Sequence, residues 1–191
     1  MAPDAEVRTD EADADDTPDG EPLAMTWSVG RVAAVVTLLA MIAFWAWVFS
    51  GAPKRSNPDY LHDREYASAL EDRCQQLRDD LDTLPAAPEL PDRDERADVL
   101  VQANAMVGDF IDDVAAAAPT EGSAGTAMEG WLADWRTYLA DREAYVEQLR
   151  TTTDDRFYVT KSPLGRQVDE TIEVFAEING IPTCATPGDV G

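Results

Sequence analysis

Between Val32 and Phe49 the chain carries no charged side chain, and Thr37 is the only hydroxyl. This run lies in "WSVGRVAAVVTLLAMIAFWAWVFSGAPKR", Trp27 to Arg55. It constrains the fold more than any other feature. A helix rises about 1.5 Å per residue, so roughly 20 apolar residues reach across a hydrocarbon core. Trp27 to Ser50 meets that length and predicts a transmembrane helix over 27–50. The ends carry interfacial residues: Trp27 at one, and Phe44, Trp45, Trp47 and Phe49 at the other. Arg31, one turn in, can snorkel outward. A cleaved leader would need a basic region before a shorter apolar run. Here the preceding region is acidic and the run is long.

Charge divides the chain. The net charge of −23 splits into −8 over residues 1–24, +1 over 25–52 and −16 over the rest. The first 24 residues hold too little apolar surface to offset the entropy of ordering, so they read as a disordered acidic tail. "DDTPDG" (Asp15 to Gly20) resembles part of a calcium loop, but position 12 of that loop would be Thr26 and not the required bidentate Glu. With only Lys54 and Lys161 as lysines, acidity on both flanks argues against nucleic acid and anionic lipid as partners.

Residues 58–184 read as four amphipathic helices, with 51–57 a linker and 185–191 a flexible C-terminal tail. The first is expected to start at Asn57 as N-cap with Pro58 at the first helical position. Its stripe is Ala67, Leu70, Cys74, Leu77, Leu81 and Leu84. The prolines of "LPAAPELP" end it. The second opens on Asp92 and Glu95, a capping-box pattern, with a broad apolar face from Val99 to Val114 that includes Asn104. "PTEGSAG" is a turn. Thr126 and Glu129 then open a third helix whose stripe runs from Met128 through Trp131, Trp135 and Tyr138 to Leu149, interrupted by Arg142. "RFYV" has the form of a short extended piece. Ser162–Pro163 begins a fourth helix with Leu164, Val168, Ile172, Phe175 and Ile178 inward, closed by Gly180 in a left-handed cap. The fold class expected is mainly α: one N-terminal transmembrane helix followed by an antiparallel four-helix bundle-like domain.

Cys74 and Cys184 are the only cysteines. Cys74 sits on the first apolar stripe and Cys184 in "IPTCATP". Together they predict a disulfide that pins the tail to the helices. The loop it closes, about 110 residues, corresponds to about 4.7 kcal/mol in the chain-entropy model. Zinc wants three or four Cys or His ligands, and His62 is the only histidine, so no metal or cofactor is expected. Disulfides persist outside the cytoplasm. The positive-inside rule points the other way, since Lys54, Arg55 and Arg64 follow the span.

Four stretches carry a resemblance: "RCQQLRDDLDTLP" (Arg73 to Pro85), "RADVLVQAN" (Arg96 to Asn104), "WLADWRTYLADREAY" (Trp131 to Tyr145) and "IPTCATPGDV" (Ile181 to Val190). With the layout of tail, span and helices they resemble a group of uncharacterised actinobacterial single-pass membrane proteins, over roughly residues 27–190. The resemblance implies an extracytoplasmic helical domain, a cytoplasmic N-terminus and no particular chemistry.

No residue pattern here requires catalysis. His62, in "DYLHDREY", has the setting of a solvated histidine, and no phosphate loop or nucleotide fingerprint is present. The expected role is a membrane-anchored, non-enzymatic accessory protein of the cell envelope that binds a protein or envelope component. Trp131, Trp135 and Arg142 are its candidate partner-binding residues, because these types dominate binding hot spots. The alternative is a single-pass sensor or regulator coupling the helical domain to the acidic tail.

Overall fold

The structure, a computed structural model, describes residues 28–86, 89–163 and 165–188. The acidic region, "DDTPDG" and Trp27 lie outside the described residues, as do Leu164 and residues 189–191. Among the described residues the chain is mainly helical and has no strand, only an isolated bridge between Lys161 and Gln167. It divides into two units, Met1–Phe44 and Trp45–Gly191.

The apolar run forms α1, Val29–Phe49, with no buried residue. It is the one helix among the described residues long and apolar enough to cross a membrane. Thr37, its lone hydroxyl, donates to the Ala33 carbonyl at 2.9 Å, so that hydroxyl is satisfied within the helix. Trp45 and Phe49 stack one turn apart, ring centroids 5.6 Å.

The expected 51–57 linker contains a short helix, α2, Ala52–Arg55, entered through Gly51 at φ 72°. The next helix does not begin at Asn57. It begins seven residues later as α3, Arg64–Leu81, where the Asp63 carboxylate accepts from the amides of Glu65 and Tyr66 at 3.0 Å. Two competing contacts move the start. Asn57 spends its side-chain oxygen on the Asp59 amide in a turn (2.9 Å). Asn179, far along the chain, then takes the backbone of residues 59–61, accepting from Leu61 N at 2.7 Å and donating to the Asp59 carbonyl at 3.0 Å. Leu61 is thereby buried in the core.

The stripe of α3 faces inward as spaced, with Ala67, Leu70, Cys74, Leu77 and Leu81 buried. Leu84 falls beyond the helix, which ends before the prolines. α4, Arg93–Ala117, starts where Asp92 predicts, its carboxylate accepting from Asp94 N and Glu95 N. α5, Gly122–Thr151, starts four residues before Thr126. Gly125 explains why. A Cβ there would come within 2.5 Å of the Thr120 backbone, so only glycine lets the incoming turn lie on the first helical turn. Thr126 is interior instead, and its hydroxyl back-bonds to the Gly122 carbonyl.

Ser162–Pro163 lie in a turn rather than at a helix start, and α6, Val168–Asn179, opens on Gln167. Val168, Ile172 and Phe175 are buried as expected; Ile178 is only half-buried, and Ala176 and Asn179 take the inner positions. Gly180 closes the helix at φ 65°, ψ 39°, and Ile181 N reaches back to the Ala176 carbonyl at 3.0 Å.

Side chains from α3, α4, α5 and α6 share one buried apolar cluster, joined by Leu61, Ile181 and Cys184. A smaller cluster holds Ala97, Leu100, Tyr145, Val146 and Leu149. Phe157, in the extended piece after α5, packs against both.

Candidate partner-binding site

The aromatic stripe of α5 is interior. Trp131 is 3% exposed, Trp135 1% and Arg142 0%. Spacing by three and four put them on one face, and that face is the one α5 turns to the core. Trp131 stacks on Phe175 with centroids 5.2 Å apart, and Trp135 meets Phe110 edge-on at 5.4 Å. These three residues therefore present no surface to a partner in this packing. Both indole Nε1 donors are buried without an acceptor.

Arg142 is a guanidinium inside an apolar stripe, and its neighbours account for it. Its Nε donates to Asn104 Oδ1 at 2.7 Å, and its Cζ lies 5.8 Å from the centre of the Tyr138 ring. The polar residue interrupting α4 thus meets the charged residue interrupting α5. Along α5 the main cluster ends at Tyr138 and the smaller begins at Tyr145, with Arg142 between them. A buried polar link of this kind holds two helices at one axial setting, because sliding would strand the charge in the core.

Cys74 and Cys184 are a disulfide-distance pair, Cα atoms 5.0 Å apart, and both are 1% exposed. The segment around Cys184 has other attachments. Arg78 donates to the carbonyls of Thr183 (2.6 Å) and Ala185 (2.8 Å), and Tyr138 Oη donates to the Pro187 carbonyl (3.1 Å). Where a flexible tail was expected from residue 185, the backbone is held at least as far as Pro187.

His62 is exposed and sits edge-on to Tyr60. Among the described residues no three His, Cys, Asp or Glu side chains are placed to hold a metal ion. The strongest electrostatic perturbations lie in the loop after α5. Hydrogen bonds from the Arg156 side chain, the Arg156 amide and the Tyr158 hydroxyl hold the Asp154 carboxyl well below the usual carboxylate range, and the same carboxylate pushes the Tyr158 phenol up. Burial pushes the Tyr145 phenol up, with the Arg96 guanidinium opposing. These groups fasten the loop: Tyr145 Oη donates to the Asp155 carbonyl at 2.7 Å, and Arg93 donates to the carbonyl of Asp154 at 3.0 Å. Their shifts follow from local structure and arrange no acid–base pair.

A groove of about 550 Å³ runs between α4 and α5. Val101, Ala105 and Gly108 of α4 and Leu139 and Val146 of α5 line it; Val101 is 46% exposed. Asp109 and Asp112 stand along the α4 side, and Glu143 and Glu147 along the α5 side, all four exposed. Arg150, also lining it, is paired to Asp98 at 2.7 Å. The α4 strip of the groove lies beside the broad apolar face of that helix and is distinct from it. The signal was present in Val101, Ala105 and Gly108, spaced by four and three, which put two small residues and one exposed valine on a single strip. Comparisons of this chain with protein-family models, with curated proteins and with solved structures find no match.

Proposed function

We propose that this chain is a membrane-anchored, non-enzymatic partner-binding protein of the cell envelope. In this reading α1 spans the membrane, the N-terminus is cytoplasmic, and α3 to α6 form an antiparallel four-helix bundle outside. The observation that carries it is one apolar helix followed by a helical unit in which two buried cysteines stand at bonding distance. A bridge at that position is chemically durable only where the surroundings are oxidising. The helical connections suit an antiparallel arrangement, since Ala118–Glu121 is too short to return the chain to the far end of α4. Binding is favoured over catalysis because the carboxylates are dispersed and solvated, while the accessible groove combines apolar floor with charged walls.

The orientation has a direct test. A phosphatase reporter that is active only after export, fused after Gly191, is expected to be active, and a reporter that works only in the cytoplasm is expected to be silent. The reverse pattern would put the domain inside, as the basic residues Lys54, Arg55 and Arg64 favour, and would end the envelope reading. Partner binding is tested by crosslinking the full chain in intact cells and identifying what is joined to it. Recovery of the chain alone, at several crosslinker lengths, counts against the reading.

A further inference from the structure

We infer that the groove between α4 and α5 docks a basic amphipathic helix of a partner protein. This rests on the partner-binding reading and names the chemistry of the partner.

Three observations converge on it. The floor is apolar and narrow-sided, with Ala105 and Gly108 on α4, so a third helix can seat a ridge of leucine-sized side chains between α4 and α5. The walls are acidic on both sides: Asp109 and Asp112 on one, Glu143 and Glu147 on the other, with Arg150 already engaged by Asp98. An occupant with lysines or arginines flanking an apolar stripe satisfies both features. Third, Asn104 lines the groove and is 93% buried by its 7% exposure. Its Oδ1 is held by Arg142, and its Nδ2 has no acceptor among the described residues. A backbone carbonyl or hydroxyl of the occupant supplies that acceptor.

Charge also rules among occupants. A second copy of this chain would bring its own carboxylates against these walls, since the chain carries −23 overall. Anionic lipid headgroups face the same repulsion.

The test uses the full chain in a neutral detergent and two labelled 14-residue peptides of lysine and leucine. One places the leucines on a single helical face; the other has the same composition scrambled. Binding is read by fluorescence anisotropy, with empty micelles subtracted. The amphipathic peptide is expected to bind at least about tenfold tighter than the scrambled one, tenfold being one decade of Kd. Gly108→Leu fills the floor and is expected to weaken binding by about the same factor. A Cβ at Gly108 makes an ordinary contact, 3.7 Å to Leu139 Cδ2, and the melting curve of the variant checks that the rest of the leucine leaves the fold intact. Neutralising Asp109, Asp112, Glu143 and Glu147 to their amides should weaken binding more than neutralising the exposed Asp72, Asp79, Glu129 and Glu170. Equal binding of the two peptides, or equal effects of the two charge sets, overturns the inference, because binding would then be general attraction to an acidic chain. The broader reading fails separately. If Gly108→Leu still crosslinks its cellular partner, that partner uses another face and the groove assignment alone falls; if the wild-type chain crosslinks nothing, partner binding itself falls.

Discussion

Reducing the Cys74–Cys184 bridge is expected to lower the melting temperature of the helical unit by roughly 10–20 °C. The two residues are 110 apart in sequence, so the bridge closes nearly the whole helical unit into one loop. In the chain-entropy model a loop of that size restricts the unfolded ensemble by about 4.7 kcal/mol, and natural bridges typically contribute about 2–5 kcal/mol. The folded side of the balance should change little. Ile181 is buried, Arg78 grips two carbonyls on either side of Cys184, and the Thr183 hydroxyl donates to the Glu71 carbonyl at 3.2 Å. The tail therefore stays docked when the sulfurs part, and the loss appears in the unfolded state. Circular-dichroism melts of the full chain in detergent, with and without a phosphine reductant, measure this. Cys74→Ser/Cys184→Ser should match the reduced wild type and should not respond to reductant. Identical melting with and without reductant, or two thiols labelled in intact cells by a permeant maleimide, would show that the pair does not bridge. The envelope location would then lose its main physical support.

Much of the helical layout was legible because helices are local. The stripe from Ala67 to Leu81 needs only spacing, and the cap at Asp92 needs only one carboxylate placed before an apolar run. What spacing could not show was competition from distant residues. Asn57 and Pro58 have every local mark of a helix start, yet Asn179 claims the backbone that the first turn would have used. Thr126 and Glu129 match a capping box, yet Gly125, by admitting the Thr120 backbone, lets the helix begin earlier. The candidate binding residues lie in the interior for a related reason. Composition marks Trp and Arg as hot-spot types, but hot spots and cores select the same side chains, and the face decides between them. The groove was missed because it is made of what α4 lacks, two small residues and a valine, and because its other wall belongs to a different helix.

Trp135→Ala is expected to destabilise the helical unit by about 3–5 kcal/mol, the range for emptying an aromatic site in a packed core. Trp135 is 1% exposed and its ring contacts Phe110, Trp131 and Tyr138 at centroid distances of 5.4, 5.8 and 5.9 Å. Those neighbours come from α4 and from both directions along α5, so no single movement closes the space left behind. Trp135→Phe should behave differently. The indole Nε1 is buried with no acceptor, which burdens the native state by about 1–3 kcal/mol, and phenylalanine removes that donor while keeping most of the ring. The two effects oppose, and the net loss should stay near or below about 1 kcal/mol, inside the range of a conservative core swap. Urea melts of the full chain, wild type and both variants, give the two differences directly. The comparison also separates core from surface. A core tryptophan loses stability on truncation and binding only as a consequence, so Trp135→Ala should keep its groove peptide at temperatures where it is still folded. If Trp135→Ala instead melts like the wild type and loses its partner, α5 must turn its aromatic face outward in the functional state, and the stripe would regain the role that its composition first suggested.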